Sequence, residues 1–390
     1  MENKIQRENW TSRFELVGKP KVNEYTFKTD VKSEKSNWIY NAMTLYVDCG
    51  ERHGDIICEM MGGYSSEGNN FIYARGKDEN GKDDFSEEGR IKVAWEDRLN
   101  ENILENIGDL CFITVGIEKD KTGKTFYKKF LSEYDAITYI KEHIDENMVL
   151  RIKGDLQYSL YNENVTVRKK IRSIVLSKVE DAKDFTAMFT QSVLLNKTSV
   201  DLKELDKNTG VLPIYGTVLD YVKEINGKEI KGFFPMPKVF EYQFDLAKQS
   251  EEQVKTIYNK LFRVKKDVTQ VNFIGELVEN GTVTITYDDL PDEIKELVDI
   301  GAYQLEDALT KCTENRTKDK KMFVLRPDIV MEGNENSKMP KVMKFESAYT
   351  EEDLIIEIPE VAEDDNDDEV VDNTTESTKV DNSMDWLNSL

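Results

Sequence analysis

Residues 37–48 read NWIYNAMTLYVD and residues 212–223 read LPIYGTVLDYVK. Ile39, Tyr40, Tyr46 and Val47 of the first recur as Ile214, Tyr215, Tyr221 and Val222 of the second, at an offset of 214 − 39 = 175 residues. A strand sends successive side chains to opposite faces. In the first stretch Ile39, Met43, Leu45 and Val47 therefore share a core face with Asn41, and Trp38, Tyr40, Ala42, Thr44 and Tyr46 share the other. In the second, Tyr215, Thr217, Leu219, Tyr221 and Lys223 fall on one face in the same way. Three aromatics beside small residues make a poor solvated face unless something flat lies on them.

The flanking sequence repeats as well. RFELVGKPKV (13–22), WIYNAMTLYVDC (38–49) and GDIICEMM (54–61) have strand periodicity, and SEYDAITYIKEHI (132–144) reads as a helix capped by its serine. MVLRIKGDLQYSLY and NVTVRKKIRSIVLS add two strands. The second half gives TAMFTQSVLL, VLPIYGTVLDYVK, EIKGFFPMPKVFEYQF, a helix SEEQVKTIYNKLF, then VTQVNFIGELVEN and TVTITYD as strands. A helix near 291–313 follows, and KKMFVLRPDIVM is a further strand that closes the sheet. Gly154-Asp155-Leu156 has its counterpart in Gly275-Glu276-Leu277, each in the strand after the helix.

Three strands, a helix and two strands is the order of the oligonucleotide-binding barrel, whose second and third strands form the usual ligand face. The expected fold is mainly β with some helix: two tandem five-stranded barrels of this kind and a disordered acidic C-terminal tail. The expected boundaries are 1–181 for the first barrel, with an insertion around 62–108, then 182–346 for the second and 347–390 for the tail. A hairpin turning at Lys121–Gly123 is extra to the first barrel.

Charge and composition bound the function. The net charge is −23, but from residue 347 onward 15 acidic residues face one lysine, so that segment carries 1 − 15 = −14 and the rest 52 − 61 = −9. Any basic surface must then be local. Four cysteines in 390 residues fit a reducing cytoplasm rather than a disulfide scaffold, and no long apolar run argues for a membrane. Aromatic platforms with interleaved cations suit a single-stranded polyanion. The aromatic candidates are Trp38, Tyr40, Tyr46, Tyr215 and Tyr221. The cations are Lys32, Lys35, Arg75, Lys124, Lys128, Arg168, Lys170, Arg172 and Lys223. Each feature has a plainer alternative. Aromatics pack well in strands, and the run RKKIR at 168–172 is equally the solvated edge that keeps strands from aggregating.

A barrel body followed by an acidic segment with an apolar tip, here MDWLNSL, resembles the single-stranded DNA-binding proteins of bacteria and their phages. Bacterial members usually carry one barrel per subunit and end in a proline-phenylalanine tip. Two barrels in one chain look more like a phage or prophage version. The resemblance implies a non-catalytic protein that coats single-stranded DNA in phage-type replication or recombination. It also implies a tail that recruits replication or recombination proteins through Asp385, Trp386, Leu387 and Leu390. The alternative is a structural or protein-interaction protein, a virion component or an inhibitor, whose barrels bind protein.

Other chemistry finds little footing. TGKT at 122–125 has Glu118 where a phosphate loop needs glycine. Cys49, His53, Cys58 and Cys111 lack the spacing of a structural zinc site. Neither His53 nor His143 stands in a nucleophile arrangement. No enzyme, cofactor or metal is expected.

Overall fold

The computed structural model describes residues 7–355 apart from 8, 35, 162–163, 226–227, 265–266, 280–286, 288–289, 306–307, 309–319, 333–338, 343 and 347–348. The first half contains β1 (Ser12–Lys21), β2 (Phe27–Lys32), β3 (Trp38–Asp48), β4 (Asp55–Ser65), β5 (Phe71–Arg75), β6 (Arg90–Ala94), a one-turn helix α1 (Glu101–Leu104), β7 (Ile113–Lys119), β8 (Thr125–Phe130), α2 (Glu133–His143), β9 (Leu150–Tyr161) and β10 (Asn164–Leu176). The second contains β11 (Thr186–Leu195), β12 (Val211–Ile225), β13 (Lys228–Gln243), α3 (Glu251–Ile257), β14 (Thr269–Val278), α4 (Asp292–Asp299) and β15 (Lys321–Pro327).

Strand pairing closes two rings of the same kind. In the first, β1 pairs with β3, β3 with β4, β4 with β10 in parallel, β10 with β9, and β9 returns to β1. In the second, β11, β12, β13, β15 and β14 repeat that circuit, again with one parallel contact, between β13 and β15. Both follow the order 1-2-3-5-4-1 in their own strands, so the expected mainly β, tandem-barrel fold is present. The fifth strand of the second ring is β15, within the KKMFVLRPDIVM stretch expected to close the sheet; the TVTITYD stretch, apart from Tyr287, lies outside the described residues. In β15 the alternation that buries Met322 and Val324 supplies the closing face.

The helices are placed by their caps and apolar faces. The Ser132 hydroxyl accepts from the Tyr134 amide, and α2 buries Ala136, Ile137 and Ile140 against the first ring. Ser250 and Gln253 form a reciprocal capping box at the start of α3.

The rings are joined through their first strands. β1 pairs antiparallel with β11, and Phe14 sits opposite Phe189, at 189 − 14 = 175, the offset of the sequence repeat. This pair marks a local two-fold between the barrels. Each phenylalanine lies across a glycine on the neighbouring strand, Phe14 opposite Gly154 and Phe189 opposite Gly275. That explains the repeated glycine, because a side chain at either position would strike the ring and a backbone carbonyl of the next strand.

Polar groups lock the junction. The Ser12 hydroxyl donates to Gln191 Oε1 at 2.8 Å, and the buried Tyr158 hydroxyl donates to the same oxygen at 3.0 Å. The Tyr158 amide donates to Asp220 Oδ2 at 2.6 Å, while Arg7 reaches Asp220 Oδ1 at 2.7 Å. A buried ion pair joins Lys169 of β10 to Glu279, just past β14. Packing continues beyond residue 346, where the tail was expected to begin: Tyr349 is buried with Leu194, Leu219 and Val268.

Candidate nucleic-acid interface

The pleat of β3 divides its side chains as the sequence implies. Met43, Leu45 and Val47 are buried in the core, and Asn41 is held there by donating to the Tyr134 carbonyl and the Thr138 hydroxyl, both at 2.9 Å. The opposite face points outward but is not uniformly open. Tyr46 is 36% exposed, between Lys21 on β1 and Ile57 on β4. Tyr40 is only 7% exposed, which removes it as a free stacking platform. Its cross-strand neighbour is Gly63, where a Cβ would come within 2.8 Å of the Tyr40 Cβ, and Val31 of β2 flanks it on the other edge. Trp38 is half-buried at the far end of the strand, opposite Ser65, with its indole N–H shielded from solvent.

The run RKKIR crosses this face on β10. Lys169 turns inward to Glu279, leaving Arg168, Lys170 and Arg172 outside. None of the three is a bare cation. Arg168 lies 4.0 Å from Glu59, Lys170 lies 3.2 Å from Glu133, and Arg172 reaches Asp155 at 3.0 Å and Glu133 at 3.9 Å. Burial raises the Glu59 carboxyl above its usual range, against the pull of Arg168 and Lys169. The run is thus neither a solvated edge nor a ready phosphate clamp. A shallow groove between β3, β4, β9 and β10 is lined by Thr44, Glu59, Met61, Gln157, Arg168 and Lys170.

The other first-half candidates among the described residues lie apart from this groove. Lys32 is exposed at the end of β2, and Lys35 lies outside the described residues. Lys124 is in the β7–β8 turn, and Lys128, on the outer strand β8, holds its ammonium 4.3 Å from the Tyr139 ring. Arg75 belongs to the insertion, its guanidinium 5.3 Å from the Phe85 ring. Asp385, Trp386, Leu387 and Leu390 lie outside the described residues.

On the second ring the outer face of β12 carries Tyr215, Tyr221 and Lys223, all exposed. Tyr215 sits beside Glu204, whose carboxylate raises the phenol's pKa. Tyr221, 51% exposed, meets Phe233 of β13 edge to face at 6.0 Å. Arg7 lays its guanidinium 4.7 Å from the other ring of that pair, Phe233, and burial lowers its pKa despite Asp220. Sequence reading missed Phe233 and Arg7. Tyr221 faces Phe233 only through the β12–β13 register, which the side-chain pattern does not print, and Arg7 lies 213 residues from Asp220.

Tyr46 and Tyr221 therefore occupy the same outer position in the two rings, whereas Tyr40 and Tyr215 do not share an environment. The cross-strand neighbour of Tyr215 is the exposed Val239, in place of a glycine.

Comparison with known proteins adds three findings. The model of the YorF family matches residues 78–293, more than half of the chain, from within the insertion through β14 into α4, ending short of β15. No curated protein matches. Among solved structures, a deletion mutant of the single-stranded DNA-binding protein from Thermus aquaticus aligns over 83% of this chain and 97% of its own, with 9% identity and a TM-score of 0.32. That likeness is too distant to carry an argument about function.

Proposed function

The chain belongs to the YorF family, and we propose that it is a non-catalytic single-stranded DNA-binding protein that lays the strand on the outer faces of its two barrels. One observation carries this reading: the second strand of each ring, on the face where such barrels take their ligands, exposes a tyrosine at the same place, Tyr46 and Tyr221. A base stacked on an aromatic side chain contributes roughly 1–3 kcal/mol with little regard to sequence. Phage-type replication or recombination is the setting proposed for this activity, with the acidic C-terminal segment recruiting partner proteins there. No helix among the described residues is long and apolar enough to cross a membrane.

A protein-binding role is the second reading, and it is favoured by the carboxylates already placed against Arg168, Lys170 and Arg172. A salt-resolved titration with single-stranded and duplex DNA separates the two. Tyr46→Ala and Tyr221→Ala are each expected to weaken oligothymidylate binding by about 1–3 kcal/mol without lowering the melting temperature. Tyr40→Ala is expected to lower the melting temperature instead, since its ring is packed. Replacing Arg168, Lys170 and Arg172 with Ser should flatten the salt dependence by roughly 1–2 slope units, at about 0.7 per phosphate contact. Normal DNA affinity in both outer tyrosine variants, with an unchanged slope, would leave the protein-binding reading.

A further inference from the structure

The insertion carries strands of its own. β5 and β6 form an antiparallel ribbon whose inner face carries Ile72, Ala74, Ile91 and Val93 onto a small core of its own with Ile107 and Phe112. The ribbon is fixed to the first barrel. The Asn70 side chain, next to β5, bonds both backbone groups of Ser65 at 2.8 and 2.7 Å, and Ser65 is the residue opposite Trp38. Trp95, directly after β6, stacks on Tyr64 at 4.9 Å, and Arg98 covers that indole at 4.1 Å while forking onto Asp135 of α2 at 2.7 and 3.0 Å.

The outer face of this anchored ribbon has a composition that its own fold does not require. Tyr73 is 78% exposed, and Phe71 and Phe85 are also exposed. Cations alternate with the rings. Lys92 is the cross-strand partner of Tyr73, and its ammonium lies 3.8 Å from the Phe71 ring centre and 5.8 Å from that of Tyr73. Arg75 lies under Phe85. Its cross-strand partner Arg90 makes an exposed pair with Glu87 at 2.8 Å. Exposed pairs of that kind contribute little, so a phosphate can take the place of Glu87 at small cost. Phe71 and Tyr73 stand two residues apart on one strand, about 7 Å along it, as successive platforms on the same face.

Resting on the DNA-binding reading above, we infer that the β5–β6 ribbon is a further contact surface for single-stranded DNA, extending the path beyond the Trp38 end of the first barrel. Bases stack on Phe71 and Tyr73, and Lys92 and Arg90 take the phosphates. Charge and ring chemistry choose this occupant: interleaved cations match a polyanion that carries flat bases, and a neutral apolar partner would cover Lys92 and Arg90 without offering them an anion.

The test uses the full chain and oligothymidylates of two lengths, about 16 nucleotides, within the reach of a single barrel, and about 60 nucleotides. The double variant Phe71→Ala/Tyr73→Ala is expected to bind the short oligomer like wild type and the long one about tenfold more weakly. Tyr73→Phe should bind both normally. Photo-crosslinking of wild type to a long oligomer carrying 4-thiothymidine should modify the 71–75 peptide, a readout that does not depend on any variant folding. Wild-type affinity of the double variant for the long oligomer, with no adduct in 71–75, overturns the ribbon assignment and leaves the barrels' role standing. A wild-type chain that binds neither oligomer removes both.

Discussion

Glu279→Ala is expected to destabilise the folded chain by about 3–5 kcal/mol, because it leaves the Lys169 ammonium buried without a counter-charge. Both side chains are almost fully enclosed, and Glu279 does more than pair with Lys169. It also accepts the Ile57 amide at 3.3 Å, and its own amide donates to the His53 carbonyl at 3.0 Å. The buried His53 returns the contact through Nδ1 to the Leu277 carbonyl at 3.0 Å. Both barrels therefore meet around Glu279, β10 and β4 at its carboxylate and the β3–β4 turn at its amide. Lys238 stands close enough that burial and Lys169 together lower its pKa, so loss of Glu279 exposes two cations to each other. Lys169→Met alone should cost a comparable amount by orphaning the carboxylate. The pair Lys169→Met/Glu279→Leu should recover much of the loss, since apolar replacement of a buried pair is often close to neutral. Urea unfolding of wild type, Lys169→Met, Glu279→Leu and their double variant gives the coupling energy directly. Strictly additive losses, or a Glu279→Ala loss below about 1 kcal/mol, the value of an exposed pair, would show that the pair does not hold the barrels together.

The inward turn of Lys169 also marks where sequence reading stops. Period two places Lys169 on the same side as Ile171, the core side, but a charge in the middle of RKKIR carries no indication of its partner, which lies 110 residues away. Within each barrel, local patterns were sufficient: alternation set the faces of β3 and β12, serine caps set α2 and α3, and strand–helix order set the ring. What depended on distant neighbours was not legible. Tyr40 is buried because Gly63 faces it across the hairpin, a register the sequence does not print. The strands inside the insertion around 62–108 were not legible because glycine, asparagine and aspartate surround runs of only five residues, although Ile72, Ala74, Ile91 and Val93 alternate in plain view. KKMFVLRPDIVM, expected to close the sheet, does so as β15, whereas TVTITYD, which alternates as well, lies, apart from Tyr287, outside the described residues. Pairing of β1 with β11 was invisible, since hydrogen-bonding backbone edges leave no mark on side-chain pattern.

Gly275→Ala is expected to produce the other large loss, and the reason lies at that same junction. A Cβ at 275 would collide with the Phe323 carbonyl on β15 and with the Phe189 ring on β11. The carbonyl belongs to the strand pair that closes the second ring, so it cannot retreat without opening that pairing. The ring cannot retreat freely either, because Phe189 packs into the core at 6.0 Å from Phe240 and sits opposite Phe14 in the joined first strands. Overpacking of a well-filled core ordinarily costs about 1–3 kcal/mol, and obstruction from two sides, one of them backbone, places this substitution at or above the top of that range. Gly154→Ala should behave alike, meeting the Lys170 carbonyl and, at 2.8 Å, the Phe14 ring. Phe189→Leu, which removes the ring and leaves the carbonyl, should rescue Gly275→Ala only in part, and the coupling between the two measures the ring's share. Because the paired phenylalanines bridge the rings, either glycine variant should lower one shared thermal transition. Two separate transitions, with only one of them moved by Gly275→Ala, would show that the barrels fold independently and that the junction does not couple them.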